Sequence, residues 1–280
     1  MLIATACVVG LAWSSRPTQA QSESVPSEKS IEKFNLYKPE TDIQIGKLLS
    51  AELEKEAKIV AEPQINEHIN RLIQSTLNGS DSTFPFTVKV LDTSSMDAYA
   101  FPGGFIYLSQ KLIQSIQSEA ALSGLLAHLA AHINDRHFTR TQTSLTVMNL
   151  AYHTQKILLK TKSHPLPASK LDLRPIQEFA LAQHASLLEQ KHERSADYSA
   201  LQYMYRAGYT HSEIQEASSE LLRLQVQGEQ GSATAHLPTP GRLLDILKRA
   251  DTEAPRARLD TISRTDPNTE FQKVRATLDH

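Results

Sequence analysis

The chain has 280 residues, 40% hydrophobic and 21% charged, with 29 basic against 31 acidic side chains and a formal charge of -2. This composition supports a full globular core and lacks the basic excess that nucleic acid or an anionic membrane selects. Its 10 glycines assemble neither G-x-G-x-x-G nor G-x-x-x-x-G-K-[ST], which argues against a nucleotide-dependent enzyme.

Met1 to Trp13 is an apolar run too short to span a bilayer, which takes roughly 20 such residues. The small residues of Thr18-Gln19-Ala20 follow, so 1–20 reads as a signal peptide and 21–33 as a polar leader. No Lys or Arg precedes the apolar run, a departure from the usual pattern. The expectation is an exported protein with no transmembrane segment after signal cleavage. Thr5-Ala6-Cys7 resembles the end of a lipoprotein processing box, yet only six residues precede Cys7, so it reads as an ordinary cysteine of the apolar run. Cleavage near Ala20 removes the single cysteine and with it disulfide and thiol chemistry.

Asp42 to Ala61 carries apolar residues at helical spacing, and a second helix is expected after Pro63, closed by Asn78-Gly79. Phe84 to Leu91 alternates as a strand, and Ala98 to Ser109 reads as a second strand or hairpin arm around Pro102-Gly103-Gly104. Ser118 to His137 is rich in Ala and Leu with one glycine and no proline, which predicts a buried helix. Helices are further expected over Ser144 to Leu159, Gln177 to Ala207 with Gly208 behind it, and Ser212 to Gln227. Pro165, Pro167 and Pro175 mark a loop, as does Gly228 to Pro240; the tail after Ala254 is read as loosely structured until Phe271 to Leu278.

His128-Leu129-Ala130-Ala131-His132 places two imidazoles at i and i+4 on one face of the expected helix, where they could share a metal ion or simply pack in the core. Glu193 and Asp197 are one turn apart on another helix. Glu193 could complete a His2Glu metal site while Asp197 accepts the outward N–H of a ligand histidine; the plainer alternative is a solvated charged face.

These residues carry a resemblance. Asp97 to Tyr107, the helix with His128, His132 and Arg136-His137, then Glu193-x-x-Ala-Asp197, Met204-x-x-Ala-Gly-Tyr209 and His236-x-Pro-Thr-Pro-x-Arg242 follow one order. That order is similar to the gluzincin metallopeptidase family of the CAAX prenyl proteases, HtpX and the periplasmic beta-barrel assembly-enhancing proteases. The resemblance extends over residues 34 to 278, including Phe34-Asn-Leu-Tyr and Phe271-Gln-Lys-Val. It implies an α+β, mostly helical, zincin-like metallopeptidase domain with a small sheet at 34–280, and one zinc per chain on His128, His132 and Glu193.

The family's helix motif is H-E-x-x-H, whose glutamate takes a proton from the metal-bound water and passes it to the leaving amine. Here that position is Leu129, which can neither accept nor donate a proton, so a step worth about 10² to 10⁴ in rate has no agent at its usual place. Asp135 shares the helical face of His128 but lies two turns along, and Glu119 lies more than two turns before it. By resemblance, Ala98, Tyr99, Ala100, Phe101, Gly103 and Gly104 form the edge against which a substrate polypeptide lies, or else a plain core strand. His236 would cap the fourth metal position or be an ordinary loop histidine, the reading favoured here. Arg242 would brace that loop, contact substrate, or simply start a helix. His137, five residues after His132, reads as packing or support, and His192 as structural or solvated. The leading expectation is a metallopeptidase-family protein with proteolysis absent or severely weakened, binding polypeptides or envelope proteins. An active zinc endopeptidase of envelope quality control using another base is the alternative, and a fold that binds neither metal nor peptide the third.

Overall fold

Ile65, Ile69, Leu72 and Ile73 recur at threes and fours and are almost fully buried, so the helix that carries them can dock only by this stripe. It is α2 (Pro63–Thr76), preceded by α1 (Pro39–Glu56); each opens on a proline, whose missing N–H costs nothing in a first turn. The first helix ends at Glu56 rather than Ala61. Ala57 turns extended, Ile59 bridges Leu91 and the Val60 N–H donates to the Val90 carbonyl, so these apolar residues serve the sheet.

The computed structural model describes residues 34–78, 80, 82–161, 174–226, 233, 236–253 and 267–278. The expected signal peptide, leader, Cys7, Pro165 and Pro167 lie outside them. The sheet has three strands, β1 (Thr87–Leu91), β2 (Ala98–Phe101) and β3 (Phe105–Ser109), in the order β1-β3-β2. β3 runs parallel to β1, with Val88 opposite Ile106, and antiparallel to β2, with Ala100 opposite Ile106. Ala98 to Ser109 is therefore a hairpin, folded at Pro102-Gly103-Gly104. Both glycines have positive φ, and a Cβ on Gly104 would stand 2.1 Å from the Pro85 carbonyl oxygen. β3 is buried on both faces: Ile106 and Leu108 enter the core, while the Tyr107 hydroxyl reaches the Glu54 carboxylate on α1.

The two edges of this sheet are treated differently. Along β1, the Asn70 side chain accepts from Val88 N (2.9 Å) and donates to Val88 O (2.8 Å), and Asn66 accepts from Val90 N (3.3 Å). Side chains of α2 thus occupy hydrogen-bonding groups that would otherwise recruit another strand. β2 is the opposite edge, and no strand pairs with its outer side among the described residues.

A short α3 (Gln110–Ser115) leads to α4 (Glu119–Asn134), whose N-terminus is capped twice. Ser118 Oγ accepts from Ala121 N (3.2 Å), and the buried Glu220 carboxylate accepts from Gln117 N (2.5 Å) and Ser118 Oγ (2.6 Å). A carboxylate here also opposes the positive end of the helix. Asp135 closes α4 and Arg136 adopts φ 55, turning the chain at once into α5 (His137–Thr161), which starts earlier than expected. Arg136 holds this turn by donating to Asp42 (2.5 Å) and to the Tyr37 carbonyl (2.7 Å). α6 (Arg174–Arg206) is long and unbroken and ends before Gly208 at φ 84. α7 (His211–Val226), α8 (Pro240–Glu253) and α9 (Pro267–Leu278) follow. α8 takes in Arg242, for which the start of a helix was one of the expected roles, and it follows directly on a stretch read as loop. α4 is the centre, packed on α6, α7, α2 and β2. The result is a mostly helical fold with one small sheet, as the resemblance implied.

The clamp on β1 gives a test. Asn70→Ala should lower stability to urea by about 2–3 kcal/mol, because it strands the amide and carbonyl of Val88 at once. A loss below about 0.5 kcal/mol, the level of a neutral surface substitution, would mean that water replaces the clamp.

Candidate functional site

α4 and α6 meet through Ala-rich turns of α4, and at that contact four potential metal donors converge: His128, His132, Glu193 and His236, with ligand atoms all within 4.8 Å of one another. His128 Nε2 lies 3.1 Å from His132 Nε2 and 3.1 Å from Glu193 Oε2, and His132 Nε2 lies 3.1 Å from Glu193 Oε1. The pairing i, i+4 on α4 does this for the imidazoles, and the same spacing on α6 sets Asp197 beside Glu193. Asp197 Oδ1 is 3.0 Å from His128 Nδ1, so the proton of a neutral His128 sits on Nδ1 and its Nε2 lone pair faces the cluster.

This donor set fits a metal ion. Around a tetrahedral zinc with bonds of about 2.0–2.1 Å, ligand atoms stand roughly 3.3 Å apart, close to the three 3.1 Å separations. Bare imidazole nitrogen facing carboxylate oxygen at such range is repulsive unless a proton or a cation lies between. His236 Nδ1 adds a further buried atom, 3.4 Å from Glu193 Oε1 but without an aligned hydrogen-bond partner. The His236 ring stands edge-on to both His128 and His132. The structure thus brings to the cluster a histidine that the sequence reading favoured as an ordinary loop residue.

Arg242, at the start of α8, supplies the positive charge that balances the acids. Its Nε and Nη2 donate to the two oxygens of Asp197 at 2.7 and 2.6 Å, and Nη1 lies 2.9 Å from Glu193 Oε2. Burial alone would raise the pKa of Asp197 and of Glu193, but Arg242 and His128 hold Asp197 below the usual carboxylate range, and three histidines do the same for Glu193. Burial would likewise depress His128, yet Asp197 and Glu193 push it up to about 9. His132 goes the other way, to about 4, because burial dominates and His128 and His236 repel its charge.

The other expected site residues are placed as follows. Leu129 is fully buried in the core and lines neither cavity beside the cluster. Asp135 is not in the cluster: it accepts from Ser195 Oγ (3.3 Å) and Ser199 Oγ (3.4 Å), on a side of α6 about 120–160° around from Glu193 and Asp197. Glu119 is at the far end of α4, 3.8 Å from His68. Of the β2 segment, Ala100 and Pro102 line a cavity of about 330 Å³ together with His132, Glu193 and His236. Ala98 is buried, Phe101 packs against Tyr99 and Tyr107, Gly103 lies against Ile43 of α1, and Gly104 against Pro85 ahead of β1. His137 and His192 stack at 4.1 Å and border the same cavity, which sequence spacing alone did not anticipate.

The comparisons with known proteins agree with this geometry. The profile described as Peptidase family M48 matches residues 60–267, a span that includes all four cluster residues, Asp197 and Arg242. The beta-barrel assembly-enhancing protease of Escherichia coli (strain K12) is 24% identical over 223 residues, 76% of this chain and 45% of the relative. That of Yersinia pestis is 25% identical over 224 residues, again 76% and 45%. The chain thus spans less than half the length of these relatives. No helix among the described residues is long and apolar enough to cross a membrane. With the profile covering well over half of the sequence, the chain belongs to peptidase family M48.

Proposed function

We propose that this protein is an exported, zinc-binding member of its family in which peptide hydrolysis is absent or severely weakened. In this reading residues 1–20 are a signal peptide, 21–33 a polar leader and 34–280 one domain that holds polypeptides or envelope proteins. The observation that carries it is the pairing of an assembled donor set with a missing acid/base. His128, His132 and Glu193 stand 3.1 Å apart, while the residue after His128 is the buried Leu129.

His128, His132 and Glu193 would hold the zinc, with His236 in reach of a fourth position. When bound, zinc polarises a carbonyl and acidifies water, and that is all it supplies. The chain must provide the group that moves the proton. Glu193 and Asp197 are taken by histidines and Arg242, and Asp135 is turned to Ser195 and Ser199, so none of them is a spare carboxylate at the cluster. This weighs against an active endopeptidase with a substitute base. β2 supports the binding role: it is the edge strand opposite β1, its Ala100 lines the cavity shared with His132 and Glu193, and an extended polypeptide could lie along it there. The relatives are named for beta-barrel assembly, which makes envelope polypeptides the class of client to try first.

Two outcomes are expected. The purified mature chain should retain close to one zinc per molecule after dialysis, and His128→Ala should lose it; absence of metal from the unmodified chain would favour the reading of a fold without metal. The zinc-loaded protein should leave casein intact, whereas Leu129→Glu should gain chelator-sensitive cleavage, at least about 10² above the unmodified chain. Rescue will be partial, since burial at position 129 raises the pKa of the new carboxyl. Chelator-sensitive cleavage by the unmodified chain, abolished in His132→Ala, would instead establish the alternative of an active enzyme.

A further inference from the structure

His128 is backed by a carboxylate, but behind His132 stands another histidine. His132 Nδ1 lies 3.1 Å from His137 Nδ1, with the two rings nearly perpendicular at 4.9 Å. In a continuous helix a residue five positions on points away from His132. Here the helix breaks: Asp135 ends α4, Arg136 takes φ 55, and His137 begins α5 on a course that returns its ring to His132. The ring is buried and held flat against His192, whose Nδ1 meets Thr141 Oγ1 at 3.3 Å.

Two nitrogens at 3.1 Å require one proton between them, and the neighbours determine whose it is. If His137 carried it, the His137 Nε2 lone pair would face the Asp135 carboxylate at 3.7 Å, an electrostatic clash, and the proton of His132 would sit on Nε2, closing that atom to a metal. If His132 carries it, the N–H of His137 at Nε2 faces Asp135, and the His132 Nε2 lone pair, 3.1 Å from Glu193 Oε1, meets either a proton on His128 Nε2 at 3.1 Å or a cation held between them. We infer that His137 is a positioning residue for His132, accepting its Nδ1 proton and so fixing the tautomer and ring orientation that leave Nε2 free to coordinate. Asp135, in turn held by Ser195 and Ser199 of α6, faces His137 Nε2 at 3.7 Å and favours its N–H there. Both imidazoles of α4 are thereby tied to α6, one through Asp197 and the other through His137 and Asp135. In relays of this kind, loss of the outer partner costs roughly 10- to 100-fold in metal affinity.

The inference rests on the metal-centre reading above, and its test separates the two. Zinc affinity of the whole mature chain is measured by competition with a chromophoric chelator for the unmodified protein, His137→Phe and His137→Asn. The His132 tautomer is read by nitrogen-15 NMR on the metal-free protein. His137→Phe keeps a ring to stack on His192 but no acceptor, and should bind zinc about 10- to 100-fold more weakly. His137→Asn loses the ring but restores an acceptor near the old Nδ1, and should recover most of that loss; a mere packing role predicts the opposite ranking. The unmodified protein should show the His132 proton on Nδ1. Equal affinity in all three proteins, or a proton on Nε2, would overturn the inference. Should the unmodified chain bind no zinc, the metal-centre reading fails, and the tautomer still decides for or against His137. If His137→Phe does not fold, the asparagine variant and the tautomer decide.

Discussion

Two carboxylates one helical turn apart, the buried Glu193 and the largely covered Asp197, lie where α6 crosses α4, and much of the molecule is arranged around neutralising them. Ionised groups removed from water cost several kcal/mol each unless well paired. The guanidinium of Arg242 returns one positive charge through a two-pronged contact with Asp197 and a third contact with Glu193. One negative charge remains. Without metal it falls to His128, which explains why an imidazole so deeply buried is pushed up to about 9. A divalent cation on the Nε2 atoms would displace that proton, leaving the cluster one positive charge richer than the metal-free form.

This charge constraint ties distant parts of the sequence together. Arg242 can reach Asp197 only if α8 begins beside α6, and the segment before it is pinned by Ala233 N donating to Met96 O, just ahead of β2. The same pinning delivers His236 to the cluster and lets it border the cavity with Ala100 and Pro102. On the far side of the sheet, Asn66 and Asn70 cover the edge of β1. The sheet thus has one edge covered by side chains of α2 and the other, β2, leading through Ala100 to the cavity beside the candidate metal donors.

The helices and the candidate donors were legible because their signals are local. Spacing of four in His128/His132 and in Glu193/Asp197 survives folding unchanged, since a helix carries its own geometry. What the sequence did not disclose depends on contacts across the fold. The return of His137 to His132 needed the positive φ of Arg136, which no periodicity announces. The presence of His236 in the cluster needed the long-range hydrogen bond from Ala233. Asp135 shared a helical face with His128 on paper, but the crossing of α6 presented Ser195 and Ser199 to it first. Ile59 and Val60 read as more helix because apolar residues at a boundary look alike until a strand claims one of them.

In the proposed reading Leu129 is decisive: the charge network is in place, and an apolar side chain stands where the resemblance implies proton transfer. That account stands or falls on a zinc centre assembled from α4, α6 and the loop before α8. X-ray absorption at the zinc edge of the metal-loaded mature protein tests it most directly. The account predicts a shell of nitrogen and oxygen ligands at about 2.0–2.1 Å with the outer-shell scattering of imidazole, two or three rings of it, weakened in His132→Ala. A shell of oxygen alone, or one that His132→Ala leaves unchanged, would place the metal elsewhere and contradict it.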